Sequence, residues 1–174
     1  RRDARPLRLS MSPLRLGVVN FLNAWPLWAA LEKKPGVELV LDVPSALAQK
    51  LRSGDVDAAL ISSVEFFRLP EGYVYHPRLC IGAEKEVCSI RFFVSRLQNS
   101  FAETLGQTRI IYTDIASRSS VAQLQLVLRE LKVDIPLQEI ADADDRIPTL
   151  QSGEALLSIG DTALRHRHAA DLRT

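Results

Sequence analysis

Short apolar runs alternate with helical patterns along the first part of the chain, and this rhythm constrains the fold most strongly. Residues 14–19, 37–43 and 57–63 are typical of buried strands. Residues 24–34 and 44–53, which separate them, have the spacing of apolar side chains that a helix buries on one face. Strand–helix–strand repeats of this kind predict parallel strands joined by right-handed crossovers.

The sharpest helix boundaries are predicted at residues 44–53. Pro44 fixes φ in the first turn, and Gly54 tolerates the left-handed conformation that often follows the last turn. Leu47 and Leu51 then fall on one face of this helix.

A second α/β unit is predicted in the other half of the chain. Two extended segments at 79–83 and 87–95 flank a polar turn, and further along the chain come a strand, a long amphipathic helix, a shorter helix and a last strand. These later elements are predicted at residues 108–114, 117–131, 143–153 and 154–161. The pattern indicates an α/β protein of two lobes with a two-strand hinge and an interlobe cleft. The predicted divisions are an N-terminal extension at 1–12, a first lobe at 13–88, and the hinge with a second lobe at 89–174.

Composition and charge exclude several classes of protein. The 174 residues are 47% hydrophobic and 25% charged, which is normal for a globular chain. A net charge of +1 gives no reason to expect a nucleic-acid partner. No run approaches the roughly 18 apolar residues of a membrane span, and no signal peptide is convincing, so a cytoplasmic protein without a membrane partner is expected. The oligomeric state, monomer or dimer, is left open.

Cysteine and histidine show no spacing that indicates a metal or redox site. Cys80 and Cys88 are expected to be reduced thiols in the core. No phosphate-binding loop, dinucleotide fingerprint or hydrolase triad is present, so neither a metal nor another cofactor is expected.

Polar residues collect where the predicted strands end, which is where open α/β sheets bind ligands. They are Asn20, Asn23, Ser62, Ser63, Ser117, Arg118, Ser119, Ser120, Gly160 and Asp161. Asn23, Ser62, Ser117 or Ser119 could simply cap a helix, because their side chains accept backbone N–H groups. The alternative is an anion site, since a helix N-terminus offers free N–H donors and the positive end of a dipole.

Five blocks together resemble the chorismate dehydratase family of the futalosine route to menaquinone. The blocks are RLGVVNFLNAWPL, VPSALAQKLRSGDVDAALISSVEFF, CIGAEKEVCSIRFF, ASRSSVAQLQLVL and EALLSIGDTAL, and they span residue 15 to about residue 164. The resemblance implies a two-lobed α/β fold with mixed sheets, like that of type II periplasmic binding proteins, used as an enzyme. The family's chain continues beyond the last block, so this chain is expected to be shortened at its C-terminus.

The resemblance also implies roles for individual residues. Asn23 and Ser89 match the asparagine and the hinge serine that would contact the reacting ring, and Asn23 is expected to be buried beside Trp25 and Pro26. Ser117, Arg118, Ser119 and Ser120 would hold one carboxylate of chorismate, Ser62 and Ser63 the other, and Asp161 would also contact the substrate. The reaction would remove water to give 3-[(1-carboxyvinyl)oxy]benzoate. The alternatives are a non-catalytic module that binds small anions and an inactive fragment of the enzyme.

Overall fold

A computed structural model describes residues 12–68, 72–96 and 98–166 of the chain. It shows two separate β-sheets, each covered by helices, so the α/β class predicted from the sequence is confirmed. The extension predicted at residues 1–12 lies almost wholly outside the described residues.

The first lobe is a three-stranded parallel sheet in the order β2-β1-β3. Its elements are β1 (Leu14–Val19), α1 (Trp25–Trp28), a 3-10 turn (Ala29–Leu31), β2 (Val37–Asp42), α2 (Pro44–Ser53), β3 (Ala58–Ala59) and α3 (Ser63–Arg68). Gly17 allows α2 to approach the central strand, because a Cβ atom there would lie 2.9 Å from Leu47 and 2.9 Å from Ala59. Val18, Leu47 and Trp28 form the centre of this lobe's core.

Two predictions for the first lobe are confirmed to the residue. Strand β1 covers Leu14–Val19, and α2 covers Pro44–Ser53 with Pro in its first turn. Gly54 follows α2 at φ +79°, which is the left-handed conformation that its position predicted.

The second lobe is a four-stranded mixed sheet in the order β4-β7-β5-β6, in which only β4 is antiparallel to its neighbour. Its elements are β4 (Ile90–Val94), α4 (Phe101–Gly106), β5 (Ile110–Asp114), α5 (Ser119–Glu130), β6 (Leu137–Ile140), α6 (Ala143–Arg146), a 3-10 turn (Ile147–Thr149), β7 (Glu154–Ile159) and α7 (Gly160–Arg165). Helices cover both faces. One face packs against Leu105, Leu124 and Leu128, and the other packs against Ala143 and Ile147.

The connection between the lobes differs from the prediction of two extended segments. Residues 87–95 do contain a strand, β4, but residues 79–83 form none and are exposed. The apolar side chains Leu79 and Ile81 are 60% and 45% exposed, so their pattern resembles a strand without having a partner strand to complete one. The two-strand hinge is therefore seen as a single strand in the described residues.

Candidate functional site at the lobe junction

The segments that follow β1, β3, β5 and β7 come into contact in two pairs where the two lobes face each other. The hydroxyls of Ser62, after β3, and Ser119, at the start of α5, are hydrogen-bonded to each other across this junction. Either oxygen can be the donor. The structure thus brings together two serines that sequence analysis had placed on different lobes.

A second contact joins the loop after β1 to the start of α7. The backbone N–H of Leu22 donates to Oδ1 of Asp161 at 3.0 Å. Beside it, the ring of Phe21 packs over Gly160, whose φ is +65°, and a Cβ atom at position 160 would lie 3.0 Å from that ring. A glycine is needed here for both reasons, namely the positive φ and the close approach of the ring.

Ser89 lies beside the same junction, at the start of β4. The backbone N–H of Gly160 donates to the Ser89 carbonyl at 2.8 Å. This bond extends the antiparallel ladder of β4 and β7 by one position, because Ile90 already pairs with Ile159. The ladder therefore fixes the backbone of Ser89 against the start of α7.

The start of α5 is built differently from a simple serine cap. Arg118, and neither Ser117 nor Ser119, occupies the N-cap position, and its side chain makes no capping bond within the described chain. Ser117 and Ser120 are buried, at 4% and 8% exposure. In the described ranges the Oγ atom of Ser117 has no hydrogen-bond partner. The alternative in which Ser117 or Ser119 caps this helix therefore does not hold, and the buried hydroxyl of Ser117 has no partner within these ranges.

Asn23 is exposed, and the expectation that it lies buried beside Trp25 and Pro26 is wrong for this structure. Trp25 itself is 55% exposed. Asn23 also does not cap α1, because Ala24 holds that position without a side-chain bond to the described residues. Its amide is therefore accessible at the end of β1, close to the Phe21–Leu22 loop.

Three further residues differ from expectation or stand apart. Cys80 and Cys88 are free and exposed, as are all the residues from 79 to 88, which corrects their assignment to the core. Ser63 is exposed on α3, and no bond joins it to the described residues of the second lobe.

Sequence analysis missed Asp114, the last residue of β5. Its Oδ1 accepts the N–H of Ala116 at 2.9 Å, and burial raises the pKa of this carboxyl above its ordinary value. Its position at the carboxyl end of a strand, three residues before the serine cluster that begins at Ser117, was the available signal.

The described helices include none that is long and apolar enough to cross a membrane. The same part of the chain contains no group of three His, Cys, Asp or Glu side chains arranged to hold a metal ion.

Comparison of folds defines the class of protein. An ancestral arginine-binding protein bound to glutamine is similar over 93% of this chain and 76% of its own, with a TM-score of 0.52 and 15% identity. This likeness, together with two α/β lobes that are joined by contacts outside their sheets, confirms a type II periplasmic-binding-protein-like fold. A second structure, GqqA, described as a novel type of quorum quenching acylase, matches with a TM-score of 0.29 and 13% identity over 88% of this chain and 56% of its own.

The family follows from the sequence. A model of the family described as menaquinone biosynthesis matches residues 14–173, so the chain belongs to that family. This confirms the family resemblance and supports a role in menaquinone biosynthesis.

Proposed function

We propose that this chain is a chorismate dehydratase, which removes water from chorismate to give 3-[(1-carboxyvinyl)oxy]benzoate. The observation that carries the proposal is the contact between Ser62 and Ser119 at the start of α5, in a member of the menaquinone biosynthesis family. This contact puts hydroxyl donors from both lobes beside a helix N-terminus.

The start of α5 supplies the first carboxylate site. This helix has 12 residues, so its first turn offers free N–H groups and the positive end of its dipole to an anion. When their mutual hydrogen bond opens, Ser119 and Ser62 can each donate a hydroxyl hydrogen to the same carboxylate, and Arg118 adds a positive charge. Ser117 and Ser120 complete this group, and Ser63 lies at the edge of the site.

The reacting ring would then lie between Asn23 and Ser89. The C–H bond at the ring carbon that bears the enolpyruvyl ether breaks, and the C–O bond of the neighbouring hydroxyl breaks with it. The hydroxyl leaves as water, and the electron pair of the C–H bond completes an aromatic ring. Aromatisation supplies the driving force, so the protein's main contribution is to position the substrate and keep water away.

An amide suits the position of Asn23. It can donate to the departing hydroxyl and accept at the same time, without placing a negative charge beside an anionic substrate. Because an amide is a poor base, we assign acceptance of the proton to a carboxylate of the substrate itself, which passes the proton to the departing hydroxyl so that water leaves. Asp161 holds the Leu22 backbone, and we propose that it positions the loop that carries Asn23.

A non-catalytic module that binds small anions is the second candidate. It is favoured by the fold, which is shared with an arginine-binding protein. Incubation with chorismate distinguishes the two. A dehydratase converts chorismate to the aromatic product, which chromatography resolves. A binding module is protected from thermal unfolding by chorismate and forms no product.

A further inference from the structure

Arg91 lies next to Ser89 on one face of the second sheet. Alternate residues of a strand share a face, and residues directly opposite in an antiparallel pair project from the same side. Arg91 is opposite Ser158, and Phe93 is opposite Leu156. Phe93 and Leu156 belong to one apolar cluster, which places Arg91 and Ser158 on that face.

The guanidinium of Arg91 is only partly satisfied. Its side chain is 26% exposed, and one terminal nitrogen lies 3.2 Å from a carboxylate oxygen of Glu86. Its Nε atom is buried and has no hydrogen-bond partner in the described ranges. Because a buried donor on a charged group is costly to leave unpaired, this nitrogen calls for an acceptor.

Ser158, directly across the ladder, has the same need. It is 0% exposed, and its Oγ atom has no partner among the residues that the structure describes. The Ser158 hydroxyl and the Arg91 Nε–H, which belong to paired residues of β7 and β4, can both donate to a single acceptor that has several lone pairs. A carboxylate meets that requirement, and its charge matches arginine.

The partner that Arg91 has now is easily displaced. The side chain of Glu86 is 71% exposed, and ion pairs that water reaches contribute little. A carboxylate from a ligand could therefore replace that of Glu86 with little loss.

The paired residues Arg91 and Ser158 lie near the proposed site for the ring. Arg91 is two residues from Ser89, and alternate residues of a strand are separated by about 6.8 Å. Of the two serines expected to bind a second carboxylate, Ser62 meets Ser119 at the first site, and Ser63 is exposed on α3 without a bond to the described residues of the second lobe. A dianion whose first carboxylate lies at α5 thus still lacks a partner for its second.

We propose that Arg91, assisted by Ser158, binds the second carboxylate of a cyclic dicarboxylate. In the absence of ligand, Glu86 forms the ion pair with the Arg91 guanidinium, and the ligand replaces it. This inference rests on the proposed function for the location of the ring, and it makes Arg91 the residue that selects dicarboxylates over monocarboxylates.

The test compares isophthalate, a flat dicarboxylate, with benzoate, which lacks the second carboxylate. Calorimetry on the purified chain would give the dissociation constant of each for wild type, Arg91→Gln, Ser158→Ala and Glu86→Gln. Arg129→Gln is the matched control, because Arg129 is an exposed arginine in the last turn of α5.

Wild type is expected to prefer isophthalate. Arg91→Gln should weaken the binding of isophthalate roughly 10- to 100-fold, which is the range for loss of a hydrogen bond to a charged group. It should leave the binding of benzoate unchanged. Ser158→Ala should have a smaller effect of the same kind and covers the case in which Arg91→Gln fails to fold. Glu86→Gln should tighten isophthalate, because an amide competes less well for the guanidinium. Arg129→Gln should change neither ligand.

The inference is overturned if wild type shows no preference, or if Arg91→Gln and Ser158→Ala weaken both ligands equally or neither. Turnover of chorismate, assayed in parallel, separates this result from the proposed function. If the wild type turns over chorismate and Arg91→Gln still prefers isophthalate, only the role of Arg91 is rejected. If Arg91→Gln loses the preference and the wild type does not turn over chorismate, the carboxylate site is supported and the enzymatic function is rejected.

Discussion

The hydroxyl of Ser62 is hydrogen-bonded to that of Ser119, 57 positions further along the chain and on the other lobe. Ser62 follows a strand of the first sheet, and Ser119 begins the longest helix of the second. The hydrogen bond between them therefore depends on how the two lobes face each other. It also concentrates two hydroxyl donors at one helix N-terminus, where an anion is stabilised.

Removal of either hydroxyl should weaken binding of an anionic ligand. Ser62→Ala and Ser119→Ala are each expected to reduce affinity for chorismate by roughly 10-fold, the equivalent of one hydrogen bond. The double variant should lose less than the sum in free energy, because the two hydroxyls share one acceptor. Ser63→Ala should have a smaller effect, since Ser63 is exposed beside Ser62 at the edge of the site. An equal effect of Ser63→Ala would contradict the assignment.

Substitution by alanine should destabilise the fold more at Gly160 than at Gly54. Both have positive φ, +65° and +79°, so alanine at either should cost about 1–2 kcal/mol from backbone conformation. A Cβ atom at Gly54 meets nothing within 4 Å, whereas at Gly160 it meets the Phe21 ring at 3.0 Å. Overpacking should add about 1–3 kcal/mol to Gly160→Ala in urea unfolding.

The added penalty of Gly160→Ala should disappear in a Phe21→Ala background, where the ring is absent. If Gly54→Ala and Gly160→Ala were equally destabilising in the wild-type background, the contact between the Phe21 loop and α7 would not persist in solution.

The pH dependence of stability should carry opposite signs at Asp114 and Asp42. Burial raises the pKa of Asp114 in the folded chain, so its favourable contribution is complete below the ordinary value of 3.8 and is lost as the pH rises through the folded value. Asp114→Asn keeps an oxygen for the Ala116 N–H and removes the charge. It should therefore be more stable than wild type at neutral pH, and the difference should vanish in acid.

Asp42 provides the opposite case. The hydrogen bond from the Lys50 side chain, and then that from the Val43 N–H, lower its pKa below 3.8. Its contribution is present above that value and is lost as the pH falls through the folded pKa. Asp42→Asn should be less stable than wild type at neutral pH. Urea unfolding at a series of pH values checks both, and the same sign for both variants would contradict the account.

Local signals predicted the elements whose boundaries the chain itself encodes. Helix α2 has proline at its start and glycine after its end, so its bounds follow from residues within it. Strand β6, Leu137–Ile140, was missed because two of its four residues are polar and exposed, and its pairing with β5 at the sheet edge is a tertiary property. Helices α4 and α7, of six residues each, are too short for periodicity to show.

Several residues of the candidate site were singled out from the sequence, but their spatial arrangement was not predicted. The serines after β3 and β5 were singled out because polar residues at strand ends suggest a ligand site. That Ser62 would meet Ser119 depends on how two separate sheets are oriented, and no local pattern encodes this. The exposure of Asn23 was missed for the same reason, because whether another part of the molecule covers a side chain is a tertiary property.

Asn23 gives the sharpest test of the central claim. Asn23→Asp preserves size and places a negative charge beside an anionic substrate, and Asn23→Ser removes the amide. Because Asn23 is exposed and does not cap α1, both variants should unfold like wild type. Asn20→Asp is the matched control, since Asn20 is also an exposed amide at the end of β1.

The direct measurement is the conversion of chorismate by wild type and by Asn23→Asp, followed by chromatography of the aromatic product. The account predicts that wild type forms one 3-[(1-carboxyvinyl)oxy]benzoate for each chorismate consumed. Asn23→Asp should be slower by roughly 100-fold, the effect of removing one positioned polar group, whereas Asn20→Asp should be close to wild type. Wild type that binds chorismate and leaves it unchanged, or Asn23→Asp that turns it over at the wild-type rate, would contradict the account.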